Sequence, residues 1–161
     1  MTLTSTQLPF LMKRAKFSEL PILHQIAIVH YCQECKVSWD GVPDGAKPTW
    51  TEDCPWTKIL ISNYDKQFGN KESFGYGPLP VGDVAELIGR SEDMKVNEFD
   101  NFDEYHKWYK ETFGFDSEGH VGPPIISFSS ADNSADLDRG WGKFHKAYDK
   151  GQEQIEMITF L

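Results

Sequence analysis

The last forty residues constrain the fold most. "VGPPIISFSS" sets two prolines ahead of an apolar run from Ile125 to Phe128, and "IEMITFL" ends the chain as a second run of that kind. Between them lie a polar connection, "SADNSADLD", and then "RGWGKFHKAYDKG", with two glycines around a tryptophan. Spacing predicts a strand, a glycine turn, a helix from about Gly142 to Lys150, a stop at Gly151 and a closing strand. A helix that starts on glycines presents free backbone N–H groups and the positive end of its dipole, which together suit an anion. Gly140 and Gly142 remove side chains from that approach, and Lys143 or Lys146 would add a cation. His145 is the nearest group able to move a proton, and Asp136 and Asp138 supply the carboxylates that Mg²⁺ takes. The plainer alternative is that the glycines only make the turn, with Phe144, Ala147 and Tyr148 as a core face.

The rest of the chain reads as mixed. "FSELPILHQIAIVHYCQEC" carries Leu20, Leu23, Ile26 or Ala27, and His30 or Tyr31 at helical spacing, with Ser18 as its cap. Residues 38–57 are dense in Gly, Pro, Asp and Trp and predict a long loop pinned by Trp39, Trp50 and Trp56. "TKILISNY" is expected to be a buried strand and "NKESFGYGPLP" a turn region. "VGDVAELIGRS" predicts a short helix. "NFDEYHKWYKETFG" predicts another, capped by Asn101 or Asp100, its Phe102, Tyr105, Trp108 or Tyr109, and Phe113 forming a core stripe. The expected fold is a single α+β (mixed α/β) domain over residues 1–161, with a helical and loop-rich part at 1–74 and a core at 75–161.

Charge narrows the partners. Residues 1–60 carry six acids and six bases, whereas residues 61–161 carry nineteen acids and ten bases, so the whole net charge of −9 falls in the second stretch. A basic face for duplex nucleic acid is therefore not expected. The acidic stretch either solubilises the surface or presents carboxylates to a basic partner. No apolar run approaches the roughly 18 residues of a membrane helix, and the apolar patch near the N-terminus precedes the basic residues, the reverse of a secretory signal. A cytoplasmic protein without membrane contact is expected. Three cysteines, an odd number, argue against a disulfide framework. His30, Cys32, Cys35 and Cys54 could supply four ligands to a tetrahedral zinc. The helical setting of Cys32 and Cys35 favours ordinary packing of reduced thiols instead.

"VGPPIIS" followed by "LDRGWGKFHKAYDKGQEQIEMI" resembles the core of the ParB/sulfiredoxin-like superfamily, in which a D-G-x-H-R-type turn joins such a strand to a short helix, a glycine and a last strand. The resemblance covers residues 121–161, is looser over 75–120 and is weakest before that. "ELPILHQIAIVHY" and "FDEYHKWY" are also similar to plasmid and phage members. It implies a nucleotide-binding fold with ATP or CTP phosphates and Mg²⁺ at the turn. Asp138 matches the motif aspartate, Arg139 is an insertion, Gly140 matches the glycine and Trp141 the variable position. Gly142 stands where the family has histidine and Lys143 where it has arginine; Phe144 and His145 match the pair that follows. Lysine cannot reproduce the bidentate fork of arginine on phosphate, and His145 is the only nearby replacement for the missing histidine. All three cysteines lie in the first third of the chain, so the reductase chemistry of sulfiredoxin is not expected.

Two functions follow from that resemblance. One is a non-catalytic inhibitor or adaptor of a mobile element, binding a basic protein through the acidic half to block conjugative transfer or host defence. The other is a nucleotide-dependent ATPase or nuclease. There Asp138, Gly140, Trp141, Gly142 and Lys143 would form the phosphate and metal site and His145 would handle the proton, with nucleic acid as a partner only in that case.

Overall fold

A computed structural model describes residues 2–33 and 36–161. Five strands form one mixed sheet, in the order β1 (Lys13–Lys16), β2 (Ser73–Pro80), β5 (Gln154–Phe160), β3 (Ile125–Ser129), β4 (Ser134–Arg139). Every pairing is antiparallel except β3 with β5. Helices α1 (Ile22–Cys32) and α2 (Pro55–Phe68) share one hydrophobic cluster with the sheet. Helices α3 (Val81–Ile88), α5 (Phe102–Thr112) and α6 (Trp141–Asp149) share the other, with the short α4 (Glu92–Val96) between α3 and α5.

Side chains alternate across a strand, and the two clusters follow that rule. In β3, Ile125 joins the α1/α2 cluster and Ile126 the α3/α5/α6 cluster; in β5, Met157 and Ile158 divide in the opposite order. A sheet buried on both faces between helices is the outcome. Because β1 pairs along β2, the N-terminal part shares this sheet with the rest of the chain.

The helix expected after residue 17 starts at Ile22, with Pro21 rather than Ser18 at its cap. The helices predicted over "VGDVAELIGRS" and "NFDEYHKWYKETFG" form, and Asn101 caps α5 by accepting the Glu104 N–H at 3.0 Å. Strands β3 and β5 and the stop at Gly151 (φ +67°) also form.

Three expectations are corrected. "TKILISNY" is the middle of α2, not a strand. Pro55 starts the helix, and Thr57, Leu60 and Tyr64 point inward at spacings of three and four. The apolar run hid that period. "SFGYGPLP" is β2, not a turn, although it holds two glycines and two prolines. Gly77 sits at φ +141°, and a Cβ on Gly75 would press to 3.0 Å on Thr159 of β5, so both glycines serve a tight strand. The polar connection 130–138 runs into β4, an edge strand whose Ala135 and Leu137 reach the core while Asp136 and Asp138 stay half-buried.

The glycine turn and its closure

The turn arises as its sequence requires. Gly140, at φ +88°, is the left-handed residue between β4 and α6, a conformation that favours glycine. A Cβ there would lie 2.6 Å from Pro124, and one on Gly142 would collide with the carbonyl oxygen of Phe115. The space over both glycines is therefore occupied by the protein's own loop between α5 and β3.

That loop also supplies the anion. Glu118 accepts the Gly140 N–H through Oε1 at 2.9 Å, and Lys143 donates through Nζ to the carbonyl of Gly122 at 2.6 Å. Burial holds the Lys143 amine below the ordinary lysine range. The hollow that remains, between Phe115, Glu118, His120, Gly142 and Lys143, measures about 110 Å³. Small-molecule sites run from roughly 300 to 1,000 Å³, so a nucleoside triphosphate does not fit unless the loop moves.

The predicted residues divide. Gly140, Gly142 and Lys143 do meet at one place, and Glu118, Phe115 and Gly122 close it. Asp138 lies on β4 and accepts from Ser127 across the β3–β4 pair; burial raises its carboxyl above the usual range. Burial raises Asp136 too, with Asp93 adding repulsion.

Trp141 points away from the turn into the aromatic cluster on α5, its ring 5.7 Å from that of Tyr105. It is not part of the cradle.

His145 is the main correction. Instead of standing beside the turn it is fully buried, stacked 4.0 Å from Tyr109 and 5.1 Å from Phe102. His106 Nε2 lies 3.1 Å from Asp149 Oδ1 and donates to that carboxylate. His106 Nδ1 and His145 Nδ1 share a hydrogen bond across 2.8 Å, and His145 Nε2 is buried with no partner. Burial, followed by repulsion from His106, pushes His145 down to about 3. Asp149 is held low by His106 and Lys110. The relay has the hydrogen bonds of an acid–base device, but both rings are buried and only Asp149, at its outer end, reaches the surface.

Of the four candidate zinc ligands, Cys35 lies outside the described residues; among those described, no group of three or more His, Cys, Asp or Glu is placed to hold a metal. His30 stacks on Trp50 at 4.6 Å and faces His120 at 6.2 Å; burial lowers both histidines. Trp50 itself adopts φ +59°, and its N–H donates to Thr57. Cys54 precedes α2 and takes a long contact of 3.5 Å from the Thr49 N–H; with Thr57 this lowers its thiol to about 6.

The sequence reading missed Glu118, Phe115 and His120. Nothing periodic marks them, and the only signal is an acid in "DSEGHVGPP", one loop away from a turn built for anions.

Among the described residues, no helix is long and apolar enough to cross a membrane. The fold defines a single-domain α+β protein with a five-stranded mixed sheet between helical layers. A scan of protein-family models and searches of curated proteins and of solved structures all return no match.

Proposed function

We propose that this protein acts by binding a basic protein through the acidic surface of its second half, without turnover at the glycine turn. One observation carries the reading. Between residues 83 and 118 there are eleven acids and four bases, and three of those bases are already paired. Arg90 pairs with Glu86, Lys107 with Asp103 and Lys110 with Asp149, at 3.1–3.2 Å. Of the other carboxylates in this stretch, Asp93 adds repulsion at Asp136, whose carboxyl burial already raises. Such a surface attracts a cationic partner and discriminates by charge pattern. The resemblance to the ParB/sulfiredoxin-like superfamily, in which some plasmid members inhibit conjugative transfer, is consistent with this role.

The test compares the wild type with a variant in which Glu92, Asp93, Asp100 and Glu104 are changed to the corresponding amides. Immobilised wild-type protein is expected to retain a specific basic protein from host lysate at low ionic strength and to release it as salt rises. The variant is expected to retain none. Equal capture by both proteins, or capture by neither, overturns the reading.

A second reading has its own support, because the Gly140 N–H does hold a carboxylate. On that reading Glu118 stands in for a phosphate and blocks an ATP or CTP site. Mg²⁺ with either nucleotide would then raise the melting temperature of Glu118→Ala, and Lys143→Ala in that background would cancel the gain. Flat curves for Glu118→Ala remove the nucleotide reading.

A further inference from the structure

The α4–α5–α6 surface carries an open groove of about 470 Å³ walled by Phe99, Tyr105, Trp108, Phe113 and Trp141, with Asp93 on its rim. Its rings are in contact rather than scattered. Phe99 lies 5.3 Å from Tyr105 and 5.8 Å from Trp108, and Trp108 lies 5.5 Å from Phe113. Tyr105 and Trp108 stack 5.9 Å apart at 24°. Trp108 and Phe113 remain 44% and 52% exposed, which is costly for such large apolar side chains unless something covers them.

No basic side chain lines the groove, and the carboxylates around it are in excess. Clustered aromatic rings beside the Asp93 carboxylate favour a cation over an apolar or anionic guest. A guanidinium suits the site better than an ammonium, because it is planar, stacks on aromatic faces and is more weakly hydrated.

We propose that this groove is the specificity pocket of the acidic surface and takes an arginine side chain of the basic partner. The inference rests on the binding function proposed above. Trp108 and Tyr105 stack on the guanidinium, and Asp93 accepts from its N–H groups at the rim. The acidic surface around the groove steers the partner in, and the groove sets the residue preference.

The probe is an amidated nona-arginine peptide, titrated into the full-length protein at low salt and read by tryptophan fluorescence, with nona-lysine in parallel. Wild type is expected to show saturable quenching and to prefer nona-arginine. Trp108→Ala should weaken nona-arginine binding by about fivefold or more and bring the two peptides to equal affinity, with Phe113→Ala acting in the same direction. Both side chains are half exposed, and circular dichroism confirms folding. An unchanged preference for arginine in both variants overturns the groove proposal and leaves the acidic-surface function standing. No binding of either peptide to the wild type overturns both.

Discussion

The glycine turn and the aromatic groove lie on either side of Trp141, and they have opposite fates. At the turn, the Gly140 N–H and the Lys143 amine are both used within the chain. Glu118 takes the Gly140 N–H, Gly122 takes Lys143, and the backbone at Phe115 fills the space over Gly142. In the groove, large rings stay exposed beside the Asp93 carboxylate. Burial of apolar area at roughly 25 cal/mol per Å² drives a chain to cover its own rings where it can. The contrast between a groove left open and a turn closed by the chain's own loop is what the proposed binding role rests on.

The largest expected effect joins the two regions through His145, which packs within 5.2 Å of Tyr105 and 6.1 Å of Trp141. Its folded pKa of about 3 lies below that of an unfolded histidine, about 6.5. As pH falls below 6.5 the unfolded chain takes up the proton first, so stability declines and levels off only near pH 3. His145 alone gives a slope approaching about 1.4 kcal/mol per pH unit. His30 and His120, also lowered by burial, act with the same sign. The lowered carboxylates Asp103 and Asp149 lose their contribution only below about pH 3.8, at the acid end of this window. Urea unfolding across pH 7 to 4, with histidine NMR to assign the protons, should show the decline with the His145 ring still neutral at pH 4. Unchanged stability across that range would break the link between the buried relay and the groove wall.

The next effect is confined to the turn. Gly142→Ala drives a methyl group into the Phe115 carbonyl, and overpacking of this kind costs about 1–3 kcal/mol. Gly82→Ala is the control. It lies in α3 with nothing within 4 Å of the added carbon, so helix propensity should make it stabilising by up to about 1 kcal/mol. Thermal unfolding of both variants measures the difference. If Gly142→Ala costs no more than Gly82→Ala, the loop does not seal the turn.

How much of this was legible follows from the range of each signal. The α6 turn, the α5 cap at Asn101 and the stop at Gly151 are set by residues within four positions of one another, and they could be read directly. α2 was misread because the stretch Ile59–Ile61 looks like a strand when taken alone. Its helical period shows only over the longer span from Thr57 to Tyr64. β2 was misread because its glycines and prolines mimic a turn until β5 lies alongside. The site was half legible. Gly140, Gly142 and Lys143 converge as their spacing demands, but Glu118 reaches them across 22 residues of chain. No local pattern could show that the cradle would be filled from within, or that burial would remove His145 from any ligand.

The smallest effect is the one that separates a binding surface from a core. Trp108 lies on α5 at the core-stripe spacing, so the sequence alone assigns it to packing, and removing a packed tryptophan costs about 3–5 kcal/mol. In the structure it is 44% exposed, at the mouth of the groove. Trp108→Ala should therefore cost about 1–2 kcal/mol, the loss of its contacts with Phe99, Tyr105 and Phe113 at the surface. Urea unfolding at pH 7 decides between the two values, with the slope against denaturant expected to stay unchanged. A loss near the core value would mean that the ring supports the fold, and that the contrast between sealed turn and open groove has been drawn in the wrong place. A small loss together with weakened arginine-peptide binding would locate the ring's role outside the protein's own stability, in what it binds.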